Sequence, residues 1–399
     1  MQLAVNRVLV PVVVRDKQGR TVDGLKKEDF QVLDNGKQRP ASGFSVQLRG
    51  PVEAIKTNES QTQPASADTR PSPSPSAPPR YVVFVFDDMH LKVEDLGRVQ
   101  QAGSRMIQKA LGPSDIAAVL SRSGKTNSGL TQDHAKLQES LMSLQTNSVY
   151  RADNRACPNI SYYQAVQIEN EHSHDGPAFQ DAFRQVISCN PGMDPVYQQN
   201  IAENEVLTAT NRVLNLGRQD AQMAYAALSA FVRTIATFPG QRMLILVSPG
   251  FLPLEQESLT AESRLLDLAA QSNVEISALD ARGLYTTEID ASQHSTSMSG
   301  SSVEQQSDYN RATSLLTEGA MASLADGTGG TFFHNSNDLD AGFKTLTEEP
   351  ETVYLLELPL EGVKSDGTYH RLKVKLDRDG LNLTARRGYF MPRPEKAKK

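Results

Sequence analysis

With 399 residues the chain is long enough for two domains with cores of their own. Its 41 Lys and Arg against 47 Asp and Glu give a net charge of −6, and no basic face with interleaved aromatics appears, which argues against nucleic acid as a main partner. No apolar stretch is long enough to cross a membrane, so no membrane span is expected in this chain.

The opening "MQLAVNRVLVPVVVRD" is apolar but interrupted by Asn6, Arg7 and Pro11, and reads as a strand rather than a signal-peptide core. Residues 1–50 are expected to be β. "LKKEDF" allows one helical turn, and "FQVLDNGKQ" is a hairpin with Asn35–Gly36 at its tip. So few strands need partners from elsewhere in the chain. Residues 51–80 are rich in Pro, Ser and Ala with little apolar content, and are expected to form a disordered tether.

From 81 to 349 helical and strand patterns alternate, which predicts a doubly wound, mainly parallel α/β sheet. "YVVFVF" is a strand buried on both faces and ends at Asp87–Asp88. "LGRVQQAGSRMIQKAL" places Val99, Met106, Ile107 and Ala110 on one helix face. "IAAVLSRSGKTNSGL" reads as strand, turn and short returning strand, and Thr131 or Asp133 caps the helix that follows. A helix-rich insertion is expected over 149–216, followed by the helix "AQMAYAALSAFVRTIATF" and the strand "MLILVSPG". A further helix leads to a strand ending at Asp280. The polar stretch "SQHSTSMSGSSVEQQSD" is expected to be a mobile loop. "GTGG" at 327–330 comes after a helix and before a strand, so it is a C-cap and turn rather than a phosphate cradle. Over 350–392 three strands, "TVYLLELPL", "YHRLKVKLD" and "LNLTARRGYF", are expected to complete a β-sandwich with the N-terminal strands, the α/β unit being inserted between them. Residues 393–399 form a basic, solvated tail.

Asp87, Asp88, Ser248 and Asp280 all stand at carboxyl ends of expected parallel strands and should gather on one rim, where open α/β sheets bind ligands. They are candidate divalent-metal ligands, and His90 nearby would suit a transition metal. The alternative is that they cap helices and bond loop amides. "ENEHSHDG" brings Glu169, Glu171, His172, His174 and Asp175 together at a spacing open to zinc, or to a solvated loop. The two cysteines, Cys157 and Cys189, lie at the outer ends of two short helices in the insertion. That placement favours a disulfide and an oxidising compartment, with buried free thiols as the alternative. Such a bridge would pin a helical hairpin on the rim. Tyr162 and Tyr163 are then candidate binding contacts, unless they pack the hairpin against the sheet. No nucleophile elbow, HExxH or Walker pattern is present.

The fragments "VVVRDKQGRTVDGLKKEDFQVLDNGKQ", "FVFDDMHL", "LGPSDIAAVLS", "GLTQDHAKLQESL", "CPNISYYQAVQIEN", "PGQRMLILVSPGF", "NVEISALDARGLY", "LADGTGGTFFHNSNDL", "YLLELPL" and "ARRGYF" carry a resemblance in their order and spacing. The middle region resembles a von Willebrand factor A domain, and nearly the whole chain resembles the VWFA-related proteins abundant in Acidobacteria. The resemblance implies a Rossmann-like A domain and an exported, interaction-type protein, with no enzymatic activity common to the family. Familiar A domains hold Mg²⁺ with an Asp-x-Ser-x-Ser loop, a threonine and a later aspartate. Here the first position corresponds to Asp87, the serines to Met89 and Leu91, and the later aspartate to Pro249, while Thr146 is a poor match for the threonine. A degenerate metal-ion-dependent adhesion site follows.

The expected function is therefore a non-enzymatic, exported protein-interaction or adhesion module with an unidentified protein partner and no obligatory cofactor. Mg²⁺ or another divalent cation is the one cofactor the rim would accommodate. Two alternatives stand beside it: a metal-dependent enzyme using the Asp87/Asp88/Asp280 rim, and a structural envelope component without a discrete ligand. An export signal is expected to have been removed or to lie outside this chain.

Overall fold

Continuous runs of branched and aromatic residues build the centre of the molecule. The computed structural model describes residues 7–17, 20–48, 80–112, 115–148, 157–171, 174–190, 195–285, 300–347, 352–363, 368–378 and 380–391. The expected tether (except Arg80), the basic tail and residues 292–299 of the polar stretch lie outside them.

In chain order the N-terminal part contributes β1 (Arg7–Arg15), a 3₁₀ turn (Lys27–Asp29), β2 (Phe30–Asp34), β3 (Lys37–Arg39) and β4 (Gly43–Leu48). The middle contributes β5 (Arg80–Phe86), α1 (Val93–Lys109), β6 (Ile116–Ser121), α2 (His134–Met142), α3 (Tyr162–Glu171) and α4 (Pro177–Cys189). It continues with α5 (Pro195–Ile235), β7 (Gln241–Ser248), α6 (Gln256–Gln271), β8 (Val274–Asp280), α7 (Gly300–Thr328), β9 (Phe332–Phe333) and α8 (Leu339–Thr347). The last part holds β10 (Thr352–Pro359), β11 (Tyr369–Leu376), β12 (Asn382–Ala385) and β13 (Gly388–Phe390).

The middle strands form a five-stranded parallel sheet in the order β6-β5-β7-β8-β9. Strand β5 is apolar on both faces because helices cover both. Val82, Phe84 and Phe86 pack with Val99, Leu141 and Phe343 of α1, α2 and α8. Val83 and Val85 pack with Leu228, Leu265 and Met321 of α5, α6 and α7. This mixed α/β arrangement is compatible with a Rossmann-like fold of the A-domain kind. Asp133 caps α2 through its side chain, which accepts from the N–H groups of Ala135 and Lys136. The "GTGG" turn ends α7, with the Gly330 N–H donating to Ala325 O at 2.9 Å.

Two four-stranded antiparallel sheets, β12-β1-β10-β4 and β13-β11-β2-β3, each combine strands from both ends of the chain. β1 pairs with β10 from Arg7 opposite Pro359 to Val12 opposite Tyr354. Val10, Val12, Tyr354 and Leu356 of one sheet and Phe30, Val32, Leu372 and Tyr389 of the other share one apolar cluster. The β2–β3 hairpin turns at Asn35 and Gly36 with φ of +47° and +80°, the paired left-handed conformations that an Asn-Gly turn supplies.

Three elements differ from the sequence expectations. The break expected near residue 216 does not exist, because α5 runs as one helix of 41 residues from Pro195 to Ile235. Gly217, within that helix, is a point of close approach, where an added Cβ would lie 2.3 Å from the Tyr162 ring. The polar stretch is helical from Gly300 onward, as the first turns of α7. "LNLTARRGYF" is two strands in two different sheets, divided at Arg386–Arg387. Arg386 is 1% exposed and turns inward, where its guanidinium donates to Gly388 O, Leu9 O, Ser263 O and the Asp267 carboxylate. That inward turn ends β12 and ties the antiparallel sheets to α6.

Candidate functional site

Strand order changes direction between β5 and β7, since β5 is followed in the chain by β6 on one side and borders β7 on the other. Connections leave the two strands in opposite directions and open a crevice at their carboxyl ends. Asp87 follows β5, and its N–H donates to Val247 O at 2.9 Å. Ser248 ends β7, and its hydroxyl donates to Asp87 Oδ2 at 2.7 Å. The Asp87 carbonyl accepts the N–H groups of His90 and Leu91, a tight turn that returns the imidazole over the carboxylate.

His90 is clamped between two acids, with Nδ1 2.7 Å from Asp87 Oδ2 and Nε2 2.9 Å from Asp220 Oδ2. A carboxylate oxygen at each ring nitrogen requires both to donate, so the ring is an imidazolium. Arg122, just past β6, donates through Nη1 to Asp87 Oδ1 at 3.1 Å and through Nη2 to Asp220 Oδ1 at 2.6 Å. Its Nη1 also lies 2.9 Å from His90 Nδ1, an approach of two donors that their shared acceptor, Asp87, makes tolerable. Two carboxylates and two cations thus close a neutral quartet. The side chains of Asp87 and Arg122 are 1% and 5% exposed, those of Asp220 and His90 12% and 16%.

The charges hold one another. Burial pushes the Asp87 carboxyl up, but His90, Arg122 and the Ser248 hydroxyl outweigh it and bring the group to about 2. Burial pushes the His90 imidazole down, yet Asp87 and Asp220 lift it to about 9. Asp220 lies below the usual carboxylate range, because its ion pairs with His90 and Arg122 outweigh its burial.

Of the four residues proposed for the rim, only Asp87 and Ser248 meet. Asp88 is fully buried and accepts from the Ser123 N–H at 2.9 Å, the Ser123 hydroxyl at 2.5 Å and Asn147 Nδ2 at 2.7 Å. It organises the loops after β6 and α2. Asp280 is held by Arg282 through Nε, Nη2 and the backbone N–H. The Arg282 guanidinium in turn lies 3.8 Å above the Tyr285 ring. Among the described residues no group of three or more His, Cys, Asp or Glu is placed to hold a metal ion. A hard cation needs several free oxygens. Here both Asp87 oxygens are engaged, and Met89 and Leu91, which the sequence resemblance matches to serine ligands, are buried apolar residues. This donor set suits ion pairing rather than Mg²⁺ coordination.

Sequence reasoning missed Arg122 and Asp220. The first carried a weak signal, a lone arginine directly after a buried strand. Asp220 carried none, since it lies inside a long polar-patterned helix 130 residues from His90.

The insertion contains the Cys157–Cys189 disulfide. Tyr162 and Tyr163, the candidate binding contacts, are half-buried. Tyr162 packs on Gly217 of α5, and the Tyr163 ring lies 6.0 Å from that of Tyr309 on α7. The acidic and histidine cluster is also taken up structurally. Glu171 accepts the N–H groups of Ala178 and Phe179 at the start of α4, Glu169 pairs with Arg218, and the His174 ring stacks on Phe179. His172 lies outside the described residues.

No family model matches the chain, and no curated protein matches it. Among solved structures it is similar to the conserved hypothetical protein BatB from Bacteroides thetaiotaomicron, at 12% identity and a TM-score of 0.32, over 67% of this chain and 96% of that one. It is similar to the TFIIH p34 N-terminal domain at 12% identity and a TM-score of 0.23, with the same 67% and 96% coverage. The pilus adhesin SpaC from Lactobacillus rhamnosus GG, in its open conformation, aligns at 9% identity and a TM-score of 0.26 over 91% of this chain and 47% of that one. Superpositions this loose leave the fold to be argued from the chain's own strand order and cores.

Proposed function

We propose that the chain is a non-enzymatic protein-interaction module whose rim works without a divalent cation. The observation that carries this reading is the neutral quartet at the switch point. His90 and Arg122 occupy the place, and supply the charge, that a metal would bring to Asp87. Every polar atom of Asp87 and Asp88 described above is engaged in holding loops. The quartet offers no activated nucleophile, because an imidazolium clamped between two carboxylates is a poor base. The disulfide fits an oxidising compartment and hence export. In this reading the two antiparallel sheets are one β-sandwich serving as the base into which the α/β unit is inserted. Removing residues 1–50 should then unfold the C-terminal strands, and their survival alone would break the sandwich reading.

The main test is a thermal melt in EDTA and then with excess Mg²⁺, Mn²⁺, Ca²⁺ or Zn²⁺, beside a panel of esterase, phosphatase and peptidase substrates. A cation at about a hundred times its Kd would stabilise the fold by about 2.7 kcal/mol. No metal-dependent rise and no turnover are expected. A rise lost in Asp87→Ala would overturn metal independence, and turnover lost in the same variant would restore the metal-dependent enzyme.

A further inference from the structure

A groove of about 480 Å³ lies between α6, α7 and β11, away from the quartet. Its size falls within the range of ligand-binding clefts. Leu254, Leu259, Leu315, Leu316 and Leu372 line its apolar part. Leu315 is 64% exposed and Leu316 41% exposed. A single exposed leucine is ordinary, but two adjacent ones bordering an apolar groove make a contiguous patch of the kind that marks an interaction site. Glu262, which also lines the groove, is 5% exposed and accepts hydrogen bonds from Tyr225 and Ser323.

The lining also carries positive charge, from Arg371 of β11 and Arg387 between β12 and β13. Arg387 is paired with Asp326 at 2.7 Å. Arg371 is exposed, and its guanidinium has no ion pair or hydrogen bond among the described residues. A cation without an ion-pair partner among the described residues, beside exposed leucines, complements a ligand that joins aliphatic side chains to a carboxylate. Because the cation is solvated, that pairing adds selectivity and salt sensitivity rather than most of the affinity.

We propose that this groove docks an acidic, aliphatic segment of a partner protein, with its apolar side chains on Leu315 and Leu316 and a carboxylate on Arg371. The proposal deepens the interaction-module reading and rests on it for the class of ligand, but it uses none of the switch-point residues. Since the groove is lined by both α7 and β11, an occupant would bridge the α/β unit and the antiparallel sheets.

The test uses the full chain and two fluorescein-labelled peptides of pattern Leu-Leu-x-Glu-Glu and Leu-Leu-x-Lys-Lys, followed by anisotropy. The acidic peptide is expected to bind at least about tenfold more tightly, a difference of about 1.4 kcal/mol. Arg371→Glu should reverse the preference, and Leu315→Asp should abolish binding of both. Each position is solvent-exposed, so both variants should fold. Equal binding of the two peptides, or no binding of either, overturns the proposal. So does dodecanoate binding in place of peptide, or self-association without peptide that Leu315→Asp removes. Mass spectrometry of the recovered peptides separates the two levels of inference. Cleaved peptide would sink the interaction-module reading, whereas intact, unbound peptide would sink only the groove.

Discussion

Replacing His90 by glutamine removes one positive charge from the quartet and keeps a side chain that can still donate a hydrogen bond. Asp87 and Asp220 must then share Arg122 alone. The imidazole rises from 6.5 to about 9 in the folded chain. At about 1.4 kcal/mol per unit, that shift is worth about 3 kcal/mol, counted from the His90 side only because the same ion pairs also depress Asp87. A group raised above its unfolded value contributes fully below pH 6.5 and loses that contribution as pH climbs through about 9. Asp87, depressed to about 2, contributes above 3.8 and loses its share as pH falls through about 2. Urea unfolding of wild type and His90→Gln at pH 6 and at pH 9.5 isolates the effect, since other alkaline titrations cancel in the double difference. Wild type should exceed the variant by about 3 kcal/mol more at the lower pH than at the higher. A gap of the same size at both values would refute the imidazolium assignment.

Serine at both Cys157 and Cys189 opens a loop with a sequence separation of 32. It should cost about 3–4 kcal/mol on the chain-entropy relation, read as faster hydrogen exchange confined to α3 and α4. Gly217→Ala should destabilise by about 1–3 kcal/mol despite alanine's better helix propensity, because its Cβ meets the Tyr162 ring. Adding Tyr162→Ala to that variant should recover part of the loss, and strict additivity in urea melts would count against the contact. Arg386→Met should cost about 3 kcal/mol, since three backbone carbonyls and Asp267 lose their donor. Unchanged stability in the same assay would mean that the inward turn after β12 is incidental.

The elements legible in the sequence are those specified by neighbours within a few residues. The unbroken run of β5 announces burial on both faces, Asn35–Gly36 announces its hairpin, and Asp133 announces the start of α2. Each rests on a backbone or burial preference that acts locally. The elements misread are those where a distant partner overrides a local preference. The expected break near residue 216 is absent, and α5 runs on through Gly217, which packs against the Tyr162 ring of a distant helix. "LNLTARRGYF" divides because Arg386 finds carbonyls and a carboxylate on other elements.

The candidate site divides along the same line. The sequence by itself determined that Asp87 and Ser248 stand at carboxyl ends of buried parallel strands, because strand, loop and helix follow one another in the chain. Only the tertiary structure decided that they adjoin, that Asp88 and Asp280 turn to other donors, and that His90 meets Arg122 and Asp220. The physical reason is that strand order and helix packing choose which charges share a low-dielectric crevice. Buried charges must then pair with whatever lies within about 3 Å, however far apart in sequence.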